Sequence, residues 1–177
     1  MAALTKHERE VRRRLRDPDS WPGFLNPDFA ARLERLGLRA LDRRSTDGDV
    51  TAIVIFHQLT EQMLRVLVAD MQFFVTASVM PTRIAFKVPP RQTFGQILDG
   101  FKYGVEFRRK ARMLKLASEL NELRNGTAHR LLQRGSLAGL RHDAMRSHWL
   151  FERVFSIYEK AHDEFRVTFH GIAKGLE

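Results

Sequence analysis

Cysteine is absent from the 177 residues, which excludes disulfides, thiolate zinc sites, iron–sulfur clusters and a cysteine nucleophile. No stretch sustains the period-two alternation of a half-buried strand, so nothing argues for a sheet, and there is neither an internal repeat nor a low-complexity block. The start of the chain lacks the apolar run of a secretory signal, because Lys6, His7, Glu8, Arg9, Glu10 and Arg12 to Arg14 interrupt it; a cytoplasmic protein is expected. The most apolar stretch, Val50 to Met80, could span a bilayer by length, but Glu61, Arg65 and Asp70 would each be costly in hydrocarbon. It reads as a buried core helix, and no membrane partner is expected.

What is present is enough for one compact domain: 44% apolar residues can build a core at this length. Thirty Lys and Arg against 21 Asp and Glu leave a formal charge of +9 and a pI near 10.6, a surface that attracts polyanions. RNA or DNA is therefore the first partner to consider. Because 23 of the 30 cations are arginine, an arginine-rich genome would produce part of the same bias, and the charge alone does not make the case.

The chain reads as all-α, a single-domain helical bundle of about five helices, one of them long and central. Residues 1–45 are expected to supply a basic helix, a loop and a second helix packing on the bundle, and residues 46–177 the bundle itself. Leu4 to Arg16 carries a thin apolar stripe and is either a phosphate-contacting arm, through Arg12, Arg13, Arg14 and Arg16, or a solvated helix face. Asp17 to Gly23 is a loop, and Asn26-Pro27 caps a helix running from about Asp28 to Arg43. Ser45 to Asp49 reads as a turn ending in a cap, after which the spine helix from Val50 is apolar on both sides, so neighbours should surround it. Met80-Pro81 should end or kink it, and Val88-Pro89-Pro90-Arg91 forbids regular structure nearby. Thr93 caps a short helix to Tyr103, a longer one runs from about Arg108 to Leu132, and a last one extends from beyond Arg134-Gly135-Ser136 to about Phe169, with the tail from Gly171 fraying.

Chemistry concentrates in Leu120-Asn121-Glu122-Leu123-Arg124-Asn125-Gly126-Thr127-Ala128-His129. On a helix Asn125 and His129 lie one turn apart and share a face with Ser118 and Glu122, while Arg124 can reach round. A solvated amphipathic face would look similar. The unusual residue is Gly126, which costs about 1 kcal/mol against alanine inside a helix and so points to close approach or a local bend. On the spine, His57 and Glu61 interrupt an apolar stripe at i and i+4, and buried polar groups need partners. Glu61 pairing with Arg124 is the expectation, and core residues satisfied for structural reasons are the alternative.

Arg124-Asn125-x-x-x-His129 near the end of a long helix, with an upstream helix bearing a polar pair, resembles the HEPN superfamily of small helical bundles, over roughly Asp49 to Leu132 in detail. The resemblance implies a metal-independent endoribonuclease, often a toxin or phage-defence effector, acting as a homodimer whose motifs face one another and needing no cofactor. It makes His129 the general acid or base, Arg124 the phosphate and transition-state cation and Asn125 an orienting group. His57, Glu61 and Glu122 are supporting candidates, and Arg130 joins the N-terminal arginines as a tentative RNA contact. Cutting RNA without a metal does need two proton-transfer groups and a cation, and a symmetric dimer supplies the second histidine. Leu131 stands where the branch silenced by adenylylation has a tyrosine, and no nucleotidyltransferase signature is present, so any antitoxin would be a separate protein. The alternative implied by the family is a module that binds RNA or protein without cutting. The pairs His142-Asp143 and His162-Asp163 suggest metal-dependent phosphohydrolases, but adjacent helical residues point about 100° apart and further ligands cannot be assembled.

Overall fold

The computed structural model describes residues 4–87, 89, 91–130 (side chains to 127) and 137–176. Six α-helices and no strand occur among the described residues: α1 (Lys6–Arg16), α2 (Pro27–Asp42), α3 (Thr46–Ser78), α4 (Phe94–Gly104), α5 (Lys110–Arg130) and α6 (Leu140–Lys174), with a single 3₁₀ turn at Pro18–Ser20. The chain is an all-α bundle.

Local chemistry explains the helix starts. Thr5 and Thr93 each form a reciprocal capping box, with Glu8 and Gln96 respectively, and Asn26 accepts from the Phe29 amide ahead of Pro27. α3 begins four residues before the expected Val50, because Ser45 rather than Asp49 is its cap and accepts from the Gly48 amide. Gly48 thereby falls inside the first turn, where α2 passes so closely that an added Cβ would sit 2.4 Å from the Ala40 carbonyl oxygen. Gly37 serves the same contact from the other side, its Cα facing the Phe56 ring.

α3 touches each of the other five helices. Ala52, Ile53, Ile55, Phe56, Leu59, Met63, Leu64, Val66 and Leu67 are buried around its circumference, as its two-sided apolar pattern requires. By length and composition it could cross a membrane, but 61% of its most apolar window is buried by the neighbouring helices. The main core joins α3 to Ala40 and Leu41 of α2, Phe101 of α4, Met113, Ala117 and Leu120 of α5, and Leu150 and Val154 of α6.

A second, smaller core lies where α1 meets the ends of α3 and α6, built from Val11, Leu15, Trp21, Phe73, Ala77 and Phe169. The Trp21 indole donates to the Arg14 carbonyl at 2.9 Å and meets the Phe169 ring edge-on, closing the end of α1. The expected fraying from Gly171 is not what the structure has: α6 continues to Lys174, and Ile172, Ala173 and Leu176 pack against this core. Ile172 and Leu176 prolong the stripe of Phe165 and Phe169, and docking of α1 gives that stripe something to cover.

Candidate functional site

The polar pair predicted on the spine lies against the helix that carries the arginine motif. His57 is buried on α3, and its Nε2 lies 3.1 Å from Asn121 Oδ1 on α5. Its ring packs on Phe94 at 4.4 Å between centroids. Burial pushes the His57 pKa below its ordinary value of 6.5, and the positive charge of Arg124 pushes the same way; the Asn121 bond and the Glu61 carboxylate oppose them without reversing the direction. A neutral ring with its proton on Nε2 donates to Asn121, the tautomer this geometry selects.

Arg124 and Asn125 follow Asn121 at one helical turn, so the three share the side of α5 turned to α3. Arg124 Nη1 donates to Asn125 Oδ1 at 3.1 Å, and both side chains are half-buried. Gly126 and Thr127 are buried behind them, Thr127 returning its hydroxyl to the Leu123 carbonyl. α5 runs on through His129 and Arg130, but the side chains of those two residues lie outside the described residues, as does Leu131.

Glu61 sits one turn beyond His57 and takes Arg65 of its own helix, at 2.8 Å, as its ion-pair partner. Arg65 in turn donates to both the side-chain and main-chain oxygens of Gln92, each at 3.2 Å, tying the spine to the segment ahead of α4. The structure thus brings His57, Glu61, Arg124 and Asn125 to one junction and adds Asn121 and Arg65, which sequence reasoning did not single out. A buried histidine requires a partner, and Asn121, one turn before Asn125 on the same face, was the signal that could have found it. Glu122 is exposed on α5.

The N-terminal arginines stand apart from this junction. Arg12 reaches the Leu176 carbonyl, Arg13 pairs with Glu10 at 2.7 Å, Arg14 donates to the Ser20 carbonyl and lies over the Phe73 ring, and Arg16 is exposed. Phe73 is sixteen residues beyond His57 on α3, about 24 Å along the axis at 1.5 Å per residue.

A second polar cluster was missed altogether. Asp70, fully buried on α3, accepts from His162 Nδ1 at 2.8 Å and from Arg166 at 3.0 Å, both on α6. Arg166 also donates to the Pro22 carbonyl, and Tyr158 stacks on the His162 ring. Burial raises the Asp70 pKa against the pull of its two partners, and raises that of Tyr158 as well. His162 faces Asp70, 92 residues away in sequence, rather than its neighbour Asp163. The cluster bolts α6 and the Pro22 loop to the spine. His142 is largely exposed, 3.8 Å from Asp143. Among the described residues no group of three or more His, Asp or Glu side chains is placed to hold a metal ion.

No family model, curated protein or solved structure matches the chain.

Proposed function

We propose that this protein is a metal-independent endoribonuclease of the HEPN type, cutting RNA to 2′,3′-cyclic phosphate and 5′-hydroxyl ends in a site shared between two copies of the chain. The observation that carries the reading is the meeting of Arg124 and Asn125 with the neutral, buried His57 and its Asn121 partner at the α3–α5 junction, with Glu61 beside them. Polar side chains held in register at a helix interface otherwise built from Met113, Leu116, Ala117 and Leu120 serve a specific purpose more readily than solvation does.

The chemistry divides among few groups. One His129 takes the proton of a ribose 2′-hydroxyl as its oxygen attacks the adjacent phosphorus, and His129 of the second copy returns a proton to the departing 5′-oxygen. Arg124 offers its planar fork to the phosphate oxygens as charge builds on them, and Asn125, bonded to Arg124 in the resting state, fixes the direction of that fork. His57 is a positioning residue: its bond to Asn121 sets how α5 lies on α3. The net charge of +9 attracts the RNA. In a cell such an enzyme is a cytoplasmic toxin or defence effector, restrained by a separate protein.

Purified protein incubated with a mixed RNA pool in EDTA tests this, beside Arg124→Ala and His129→Ala variants. Cleavage that survives chelation, leaves cyclic phosphate ends and disappears in both variants is the expected result. Folded wild-type dimer that cuts nothing, or variants that cut as well as wild type, would overturn it.

A further inference from the structure

We propose that the half-open cavity between α3 and α4 holds an unpaired nucleobase of the bound RNA, one a few nucleotides along the strand from the cleaved position; the proposal rests on the ribonuclease reading above. The cavity has a volume of about 280 Å³, near the lower end of the range for small-molecule sites and suited to a single heterocycle. Its lining combines three kinds of group. Val68 of α3 and Ile97 of α4 give apolar surface for the faces of a ring, Gln72 brings an amide that can donate and accept, Gln92 a side-chain NH2 that can donate while its oxygen holds Arg65, and Lys87 supplies positive charge for a neighbouring phosphate beside the Glu61-paired Arg65. Sequence-selective recognition of RNA uses this combination, with a splayed base enclosed by apolar surface and hydrogen-bonded at its edge.

The position of the cavity fits a role beside the candidate site. His57, Glu61 and Arg65 occupy successive turns of α3, so Arg65 stands about 12 Å along the axis from His57, a span of three or four stacked nucleotides at about 3.4 Å each. Arg65 also joins the two places physically, bonding Glu61 on one side and Gln92 of the cavity wall on the other. A strand whose phosphate lies at Arg124 thus has a base a few nucleotides further along within reach of the amides.

Gly100 of α4 lines the cavity and offers a clean perturbation, because an added Cβ there meets nothing within 4 Å. Gly100→Leu should fill the space without disturbing the helix, and an unchanged or higher melting temperature would confirm the fold. Binding is measured by fluorescence anisotropy on the full chain carrying His129→Ala, with short labelled homopolymers of each of the four bases. The parent is expected to prefer one base by about tenfold or more. Gly100→Leu should level the four affinities, and Gln72→Ala, which removes an amide without closing the cavity, should change their ranking. A parent that binds all four alike or none, or a Gly100→Leu variant that keeps the parent's ranking, would overturn the pocket. The two proposals fail separately: base-selective binding without cleavage by wild type removes the ribonuclease and keeps the pocket, whereas cleavage without base selection does the reverse.

Discussion

Acidification should loosen this protein through His57 in particular. The folded state holds that ring neutral, with a pKa below 6.5, because burial and the Arg124 charge outweigh Asn121 and Glu61. An unfolded chain takes up the proton first as the pH falls. The stabilisation is therefore complete above about pH 6.5 and is lost as the pH drops from there through the folded-state pKa, below which both states are protonated and the dependence levels off. Within that window at most one proton separates the two states, so the slope stays below about 1.4 kcal/mol per pH unit. Urea unfolding of wild type and His57→Leu from pH 7.5 to 5 measures it, because the other histidines cancel when one curve is subtracted from the other. His57→Leu strands Asn121, but that cost does not vary with pH and so offsets the difference without tilting it. A difference curve that is flat across the range, or that slopes the other way, would refute the placement of a neutral His57 in the α3–α5 junction.

Two further perturbations bear on how the bundle is held. Gly48→Ala puts a methyl group 2.4 Å from the Ala40 carbonyl oxygen, so α2 and α3 must separate; a loss of about 1–3 kcal/mol in denaturant unfolding is expected, against the gain that alanine normally brings to a helix. Asp70→Ala leaves Arg166 and His162 without their buried acceptor and should cost about 3–5 kcal/mol, or roughly 6–20 °C in melting temperature for a domain of this size, whereas replacing Asp70, His162 and Arg166 together by apolar residues should restore much of the loss. A single Asp70→Ala variant as stable as wild type would show that the cluster does not tie α6 to the spine.

Local signals in the sequence carried most of the fold. Asn26-Pro27 and Thr93 mark helix starts by chemistry that acts within four residues, and the two-sided apolar pattern of α3 already demanded neighbours all round. What eluded it depends on distant partners. Ser45 and Asp49 are both competent caps, and the choice between them turns on where α2 passes and on Asp49 meeting Arg141 of α6 at 2.9 Å. The tail from Gly171 is ordered by α1, from the other end of the chain. At the candidate site, the burial of His57 was legible as a polar interruption of an apolar stripe, but its acceptor on another helix was not. Glu61 illustrates a different difficulty. Two arginines of suitable reach were available to it, and the structure pairs it with Arg65, the one already held at i+4 on the same helix, where the pairing costs less side-chain freedom.

The enclosure of α3 has a consequence for how a ligand could be received. His57, Glu61 and Arg65 are mounted on the one helix that all the others cover, so the backbone beneath them should open to solvent only when the whole molecule unfolds, and its amides should be among the slowest to exchange with deuterium. A backbone held in this way does not shift to follow a flexible strand. If the ligand is the RNA proposed above, the ordering on binding falls chiefly on the strand, and one already bent or splayed at the right step should bind more tightly than a straight one of the same sequence.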